Sequence, residues 1–352
     1  MNRILRFILP LCLILPLVGF APRFLVDEAP QGYPMRLSEY HFFEGDIAAQ
    51  QAGAGVMPYA LNTPLFSDYA EKLRFVKLPP GTQVAYNGTH VLDFPEGTQI
   101  IKTFYYPHDA RKPEKGRRLM ETRLLIREAT GWKALAYHWN DAQTDALLEV
   151  AGGEKEVSWI DKAGKKQKLL YSFPNLNQCK GCHSYDGAMQ PIGPSARQLN
   201  GDFAYASGTQ NQLLAWGQAG MIGSLPEQLA DVPKIAVWND PATGTLDQRA
   251  RAWLDINCAH CHNPHGPAST SGFYLDIRQT NPAVLGVRKS PVAAGRGAGE
   301  GRYDIEPGKP ETSILYIRIA STDPGVMMPE VGRRLVHQES LDLIRSWIAE
   351  MK

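Results

Sequence analysis

Cysteine is scarce in this sequence, with five in 352 residues. One of them, Cys12, sits in a hydrophobic N-terminal run. The other four fall in two short motifs, so no pair is left for a structural disulfide. At this length a core can stand on burial alone. Net charge is nearly absent as well: 37 Lys and Arg against 36 Asp and Glu leave +1. That balance excludes the basic excess of a nucleic-acid binder and a strong attraction to a membrane surface. There is no internal repeat beyond the paired cysteine motifs. Residues 56–150 hold no catalytic constellation, and their scattered His90, His108 and His138 read as structural.

The two motifs are Cys179-Lys180-Gly181-Cys182-His183 and Cys258-Ala259-His260-Cys261-His262. Cys-x-x-Cys-His is the attachment spacing of haem c. The thiols form thioether bonds to the porphyrin, and the next histidine, carried under the ring, ligates the iron. A lone Cys-x-x-Cys also serves as a redox dithiol or half a zinc site, and two pairs together can supply four thiolates to one zinc. Those readings leave the histidine after each pair unexplained. The pairs also lie farther apart than a compact zinc ribbon needs, and neither has the βαβ setting of a thioredoxin-like dithiol. The expectation is two covalent haem c groups on Cys179, Cys182, Cys258 and Cys261, with His183 and His262 as proximal iron ligands.

The N-terminus agrees. Asn2-Arg3-Ile4-Leu5-Arg6 is a short basic start, followed by an uncharged apolar run from Phe7 to Phe20 that ends at Arg23, Asp27 and Glu28. This is the pattern of a secretory signal, and it is short for a membrane span. Ala21 and Ala29 each precede proline, so cleavage after Gly19 and retention as an N-terminal anchor both stay open for residues 1–29. Arg3 and Arg6 place the rest of the chain outside the cytoplasm. The expected location is the bacterial periplasm, with the inner membrane touched only through an uncleaved anchor.

Plentiful glycine (32) and proline (26) predict many loops. Residues 30–165 read as an antiparallel β-rich domain. Leu73–Leu78 alternates up to the turn Pro79-Pro80-Gly81, Thr98–Tyr106 is rich in β-branched and aromatic residues, and Thr122–Arg127 and Trp132–Trp139 flank a hairpin at Ala129-Thr130-Gly131. Residues 166–244 read as an irregular first haem module, with Leu169–Asn177 as a loop and Gln210–Ala219 as a helix. In 245–352, Thr245-Leu246-Asp247-Gln248 resembles a capping box. Leu246, Ala250, Trp253 and Leu254 follow on one helical face. Leu341, Ile344, Trp347, Ile348 and Met351 mark a closing helix that should cross the first, with Trp253 or Leu254 near Trp347. That layout is the one class I cytochromes c use. The expected fold class is therefore α+β, with a β-rich domain, a haem module and an all-α class I cytochrome c domain.

In such a frame the sixth ligand is a methionine just before the closing helix. Met328, directly ahead of Pro329, is favoured over Met327; the alternative is that both fill the core. For the first iron, Met221 follows the helix at a workable separation. Met189 is too near His183, and Met120 or a histidine of the β-rich domain would need contact between domains. A five-coordinate iron is the remaining alternative, and an open position would let a small ligand bind.

Three segments carry a resemblance to a poorly characterised family of bacterial di-haem c-type cytochromes. They are Leu61-Asn62-Thr63-Pro64-Leu65-Phe66-Ser67-Asp68-Tyr69-Ala70, Asn175 to His183, and Leu254 to His262, with Met327-Met328-Pro329-Glu330 and the closing helix matching too. The last hundred residues also resemble cytochrome c modules appended to other bacterial proteins. The resemblance implies haem c at both motifs, an electron-transfer role and a place outside the cytoplasm. The leading expectation is a carrier of single electrons between a redox donor and a redox acceptor. The alternatives are a di-haem peroxidase-like enzyme and the cytochrome subunit of a larger dehydrogenase. Lys162, Lys165, Lys166 and Lys168 either steer an acidic partner or form a solvated face. The cluster Arg111, Lys112, Lys115, Arg117 and Arg118 reads as a solvated loop.

Overall fold

The computed structural model describes residues 32–352. The N-terminal segment and Cys12 lie outside the described residues. Among those described, no helix is long and apolar enough to cross a membrane.

Strands β1 (Val56–Tyr59), β2 (Glu71–Lys77), β3 (Val84–Ala85), β4 (Gln99–Pro107), β5 (Arg117–Glu128), β6 (Gly131–Trp139) and β7 (Ala146–Leu148) come first. All but β3 form one antiparallel sheet in the order β1-β2-β4-β5-β6-β7. Side chains alternate across a strand with period two, and the register shows what each face is for. Phe75, Ile101, Leu124 and Leu135 are direct cross-strand neighbours. They build a core with Leu37, Phe42, Tyr137 and Trp139 on one face. On the other face Val76, Ile100 and the partly buried Leu125 form an apolar row that packs under Leu199, Leu213 and Trp216. The next row on that same face is Arg74, Lys102 and Arg123.

A hairpin of β8 (Gly153–Ile160) and β9 (Lys166–Phe173) covers one end of the sheet. Its Val157, Trp159, Leu169, Tyr171 and Phe173 bury against Phe104, Tyr106 and Met120. After it come α1 (Leu176–His183), the small hairpin β10 (Ser184–Tyr185) and β11 (Ala188–Met189), α2 (Ala196–Leu199), β12 (Asp202–Tyr205), β13 (Gly208–Asn211), α3 (Gln212–Gln218) and β14 (Ile222–Gly223). The last of these pairs in parallel with β3. The chain then runs through α4 (Leu246–Asn257), α5 (Ile314–Ala320) and α6 (Gln338–Glu350).

Several expectations need correction. Leu169–Asn177 is not a loop: Leu169, Tyr171 and Phe173 alternate inward along β9. A boundary between residues 165 and 166 would cut the β8–β9 hairpin. The stretch expected as a separate haem module shares its core with the sheet through Leu199, Leu213 and Trp216. The expected all-α class I cytochrome c domain does not form. The described chain is dominated by antiparallel strands, with six α-helices, and only three of these lie in 245–352. Helix α4 does cross α6, and Trp253, Leu254, Ile344, Trp347 and Ile348 share one core. Between α4 and α5, however, prolines 264, 267, 282, 291, 307 and 310 and glycines 266, 272, 286, 295, 297, 299, 301 and 308 interrupt the chain. Proline removes a helical N–H, and glycine costs about 1 kcal/mol in a helix interior. That stretch therefore settles into 3-10 turns and isolated bridges such as Val287 to Ile305.

Candidate functional site

Each cysteine motif is aimed by its own local frame. At the first, Asn175 caps α1: its side chain accepts the Gln178 N–H at 2.9 Å, and Gln178 returns the bond at 3.0 Å. The helix carries Cys179 and Cys182 and ends on His183. Asp186 and Gly187 follow, both at positive φ (48° and 75°), the turn that lets β10 and β11 pair tightly. This hairpin brings the Gln190 carbonyl back to His183, whose Nδ1 donates to it at 2.7 Å.

At the second motif, the capping box at Thr245 and Gln248 starts α4, which leads directly into Cys258. Backbone bonds from Cys261 and His262 to the Cys258 carbonyl, at 3.1 and 2.9 Å, wind the motif. Gly266 is required there, because a Cβ would sit 2.4 Å from the Cys261 carbonyl oxygen. His262 then donates from Nδ1 to the Phe273 carbonyl at 3.1 Å. The two frames are unrelated in sequence, yet each fixes its imidazole in the same way. Nδ1 is spent on a carbonyl and must carry the proton, which leaves the Nε2 lone pair free for a metal. Burial, outweighing every other influence, pushes His183 down to about 4 and lowers His262 as well. Both rings are neutral near pH 7.

The four thiols are unbridged. Burial raises all of them, Cys258 and Cys261 to about 12. A nucleophilic cysteine needs the opposite shift. Among the described residues no three His, Cys, Asp or Glu side chains converge in the arrangement of a metal-ion shell.

In front of α1 lies a cavity of about 720 Å³, bounded by Cys179, Cys182, His183, Phe104, Ile256 and Met328 among others. Sites for drug-sized molecules span about 300–1,000 Å³. A second cavity, of about 520 Å³, separates the motifs and is bounded by His183, Tyr185, His260 and His265. The motifs meet at its edge. The Asp186 N–H donates to the His265 carbonyl at 2.8 Å, the Asp186 carboxylate sits 2.9 Å from His265 Nδ1, and Tyr185 stacks on that ring at 4.9 Å.

Met327 and Met328 both line the larger cavity, Met328 partly exposed and Met327 buried at 8 % exposure. The loop that carries Met328 turns toward the second motif: the Arg333 and Glu330 charges act on Cys258 and Cys261. Met221 is elsewhere. It lies against the Trp216 core and borders a separate surface pocket with Gly55 and Gln83, so the structure does not bring it to His183. Met120 is core beneath the β8–β9 hairpin. His138 stacks on Phe173 at 4.0 Å. The four lysines lie on or beside the β8–β9 turn, away from both cavities.

Three features escaped the sequence reading. His260 lines both cavities, and its buried Nδ1 has no hydrogen-bond partner. Arg74, Lys102 and Arg123 line the larger cavity. The segment Leu61–Ala70 clasps the second motif to the rest: Asn257 accepts the Phe66 N–H at 2.8 Å, Asp68 accepts the Arg334 and Leu335 N–H groups, each at 2.7 Å, and Phe66 stacks on His337 at 4.2 Å. The identities of those residues gave no sign of such partners, which are more than 190 positions away.

No protein-family model matches the chain, and no curated protein or solved structure shows significant similarity to it. The geometry itself fits a thioether-bound tetrapyrrole. Protonated, unpaired thiols stand beside an imidazole with a free Nε2, and the first such set opens on a cavity of suitable size.

Proposed function

We propose that this chain is a di-haem c-type cytochrome that passes single electrons between extracytoplasmic redox partners. The observation that carries the reading is the pair of Nδ1-to-carbonyl bonds, His183 to Gln190 and His262 to Phe273, each at the end of a Cys-x-x-Cys. Cys179 and Cys182 would hold one haem, and Cys258 and Cys261 the other, with His183 and His262 as iron ligands. Met328, whose loop turns toward Cys258 and Cys261, would be a further ligand for the second haem, and His260, on its shared cavity wall and with its unsatisfied nitrogen, for the first. When bound, the groups supply a one-electron Fe(III)/Fe(II) couple.

The protein's own part is to orient and to shield. The two carbonyls fix both tautomers, and burial keeps both rings neutral. The Tyr185–His265 stack and the Asp186 contacts hold the two sites against each other, which suits internal exchange of electrons. The bacterial periplasm follows as the proposed location, since haem c is attached outside the cytoplasm. A donor and an acceptor protein are the proposed partners.

The test is a pyridine haemochrome count on protein made in a host competent for cytochrome maturation. Two haems per chain are expected, falling to one in Cys179→Ala/Cys182→Ala and to one in Cys258→Ala/Cys261→Ala. A colourless wild-type protein refutes the reading. Rapid turnover of peroxide by the half-reduced protein would replace the carrier with an enzyme.

A further inference from the structure

Strands β2, β4 and β5 bring three cations into line on the cavity side of the sheet. The antiparallel register sets Arg74 opposite Lys102, and Lys102 opposite Arg123. Directly opposed residues have Cβ atoms about 4.5–5.5 Å apart, and like charges so placed destabilise a sheet. The carboxylate at hand is already committed: Glu121 takes two bonds from Arg123, at 2.9 and 2.5 Å, and one from the Tyr171 hydroxyl at 2.5 Å. Arg74 is 7 % exposed, and its buried Nη2 has no hydrogen-bond partner. Lys102 makes no ion pair among the described residues, and its Nζ rests 4.8 Å from the centre of the Phe104 ring. All three side chains line the cavity that opens on Cys179, Cys182 and His183.

A buried charge needs a partner, and a guanidinium fork matches a carboxylate or another oxyanion. We propose that the row Arg74, Lys102 and Arg123 is an anion seat in the first haem cavity. It receives either the propionate carboxylates of the tetrapyrrole held by Cys179 and Cys182, or a small free oxyanion entering beside it. The inference rests on the two-haem reading. Burial first, and then the Arg74 charge, depress the Lys102 ammonium well below its usual value, a penalty that a seated anion relieves. In this reading the sheet is the electrostatic wall of the first cofactor.

The test uses the full-length, haem-loaded protein and follows the potential of each haem by optical redox titration. Arg74→Gln should shift the reduction equilibrium of one haem about tenfold toward the oxidised form, about 59 mV for a one-electron couple, and leave the other unchanged. Arg74→Lys, which keeps the charge, should stay near wild type. Lys102→Gln, at a partly accessible position, gives the same reading if Arg74→Gln does not fold. Inorganic phosphate, added at constant ionic strength, separates the sources. A saturable shift in wild type that Arg74→Gln abolishes identifies a free oxyanion; shifts in the variants without any phosphate response identify the propionates. Two haems with unchanged potentials in both variants, and no phosphate response, overturn the anion seat and leave the haem reading standing. A protein without haem overturns both.

Discussion

Arg333 pins the Met328 loop, and its removal should both destabilise the fold and free the methionine. The side chain is 7 % exposed. Its Nε and Nη2 donate to the Met328 carbonyl at 3.0 and 2.8 Å, Nη2 also reaches the Arg318 and Ser321 carbonyls at 3.1 and 2.9 Å, and Nη1 reaches Leu335 at 3.2 Å. Charged hydrogen bonds are worth about 1.5–3 kcal/mol each. Five at face value would total on the order of 10 kcal/mol, comparable to the whole stability of a typical domain. Most of that is cancelled, because truncation also releases a buried cation from its desolvation penalty. What remains is the cost of the carbonyls left without donors, about 3 kcal/mol for Arg333→Met. With a urea slope of about 3 kcal/mol/M, the midpoint should fall by about 1 M. Arg333→Lys should recover less than half of that, since one ammonium cannot span the same carbonyls. On the proposed ligation of iron by Met328, the second readout is the near-infrared thioether-to-iron band of the haem-loaded protein, with Met328→Ala as the reference for its loss. If Arg333→Met unfolds at the wild-type midpoint and keeps that band, the guanidinium neither holds the loop nor presents Met328.

The sequence was legible where chemistry or periodicity is local. The alternation of β2, the β-branched and aromatic run of β4 and the turn between β5 and β6 placed those strands close to their bounds, β5 beginning at Arg117 ahead of the expected Thr122. The Thr245 capping box and the packing of Trp253 or Leu254 near Trp347 are local signals, and the box formed while all three residues share one core. The failures share a cause: each depended on a contact distant in the chain. Leu169–Phe173 looks like a loop until Phe104 and Tyr106 give its inward residues something to bury against. Met221 stood at a plausible separation from His183, but chain separation says nothing about direction, and the Trp216 core draws it away. The class I frame was inferred from two helices; the proline- and glycine-rich stretch between α4 and α5 is where it fails. The cation row was hidden for a further reason. Arg74, Lys102 and Arg123 are ordinary outward-facing strand residues in any one strand, and only the three-strand register makes them a cluster. The segment Leu61–Ala70 is the complementary case, a loop of unremarkable composition whose hydrogen bonds span the molecule. Asp68 and Tyr69 hold positive φ there, 50° and 61°, strained backbone that persists because its partners fix it.

Two further outcomes follow from packing and burial. Trp216 of α3 is fully buried and meets Tyr59 of the sheet edge-on at 5.9 Å. Trp216→Ala should cost about 3–5 kcal/mol in urea unfolding, and a loss below 1 kcal/mol would mean that the sheet and the 196–222 region do not share a core. His337 makes the stability of the fold depend on acid. It stacks on Phe66, and its Nδ1 accepts the Trp253 indole N–H at 3.2 Å, so the ring is held neutral. Burial, with Lys72 adding to it and Glu339 opposing, pushes it down to about 4 from 6.5. A base with a depressed folded value binds its proton less readily than the unfolded chain does, so stability is lost as pH falls from about 6.5 toward 4. Between pH 7 and pH 4.5 this one ring should account for about 2 kcal/mol of lost stability. His337→Phe keeps the stack and removes the titration, so its loss over that interval should be smaller by that amount. Equal losses in the two proteins would show that this ring takes up its proton in the folded chain as freely as in the unfolded one.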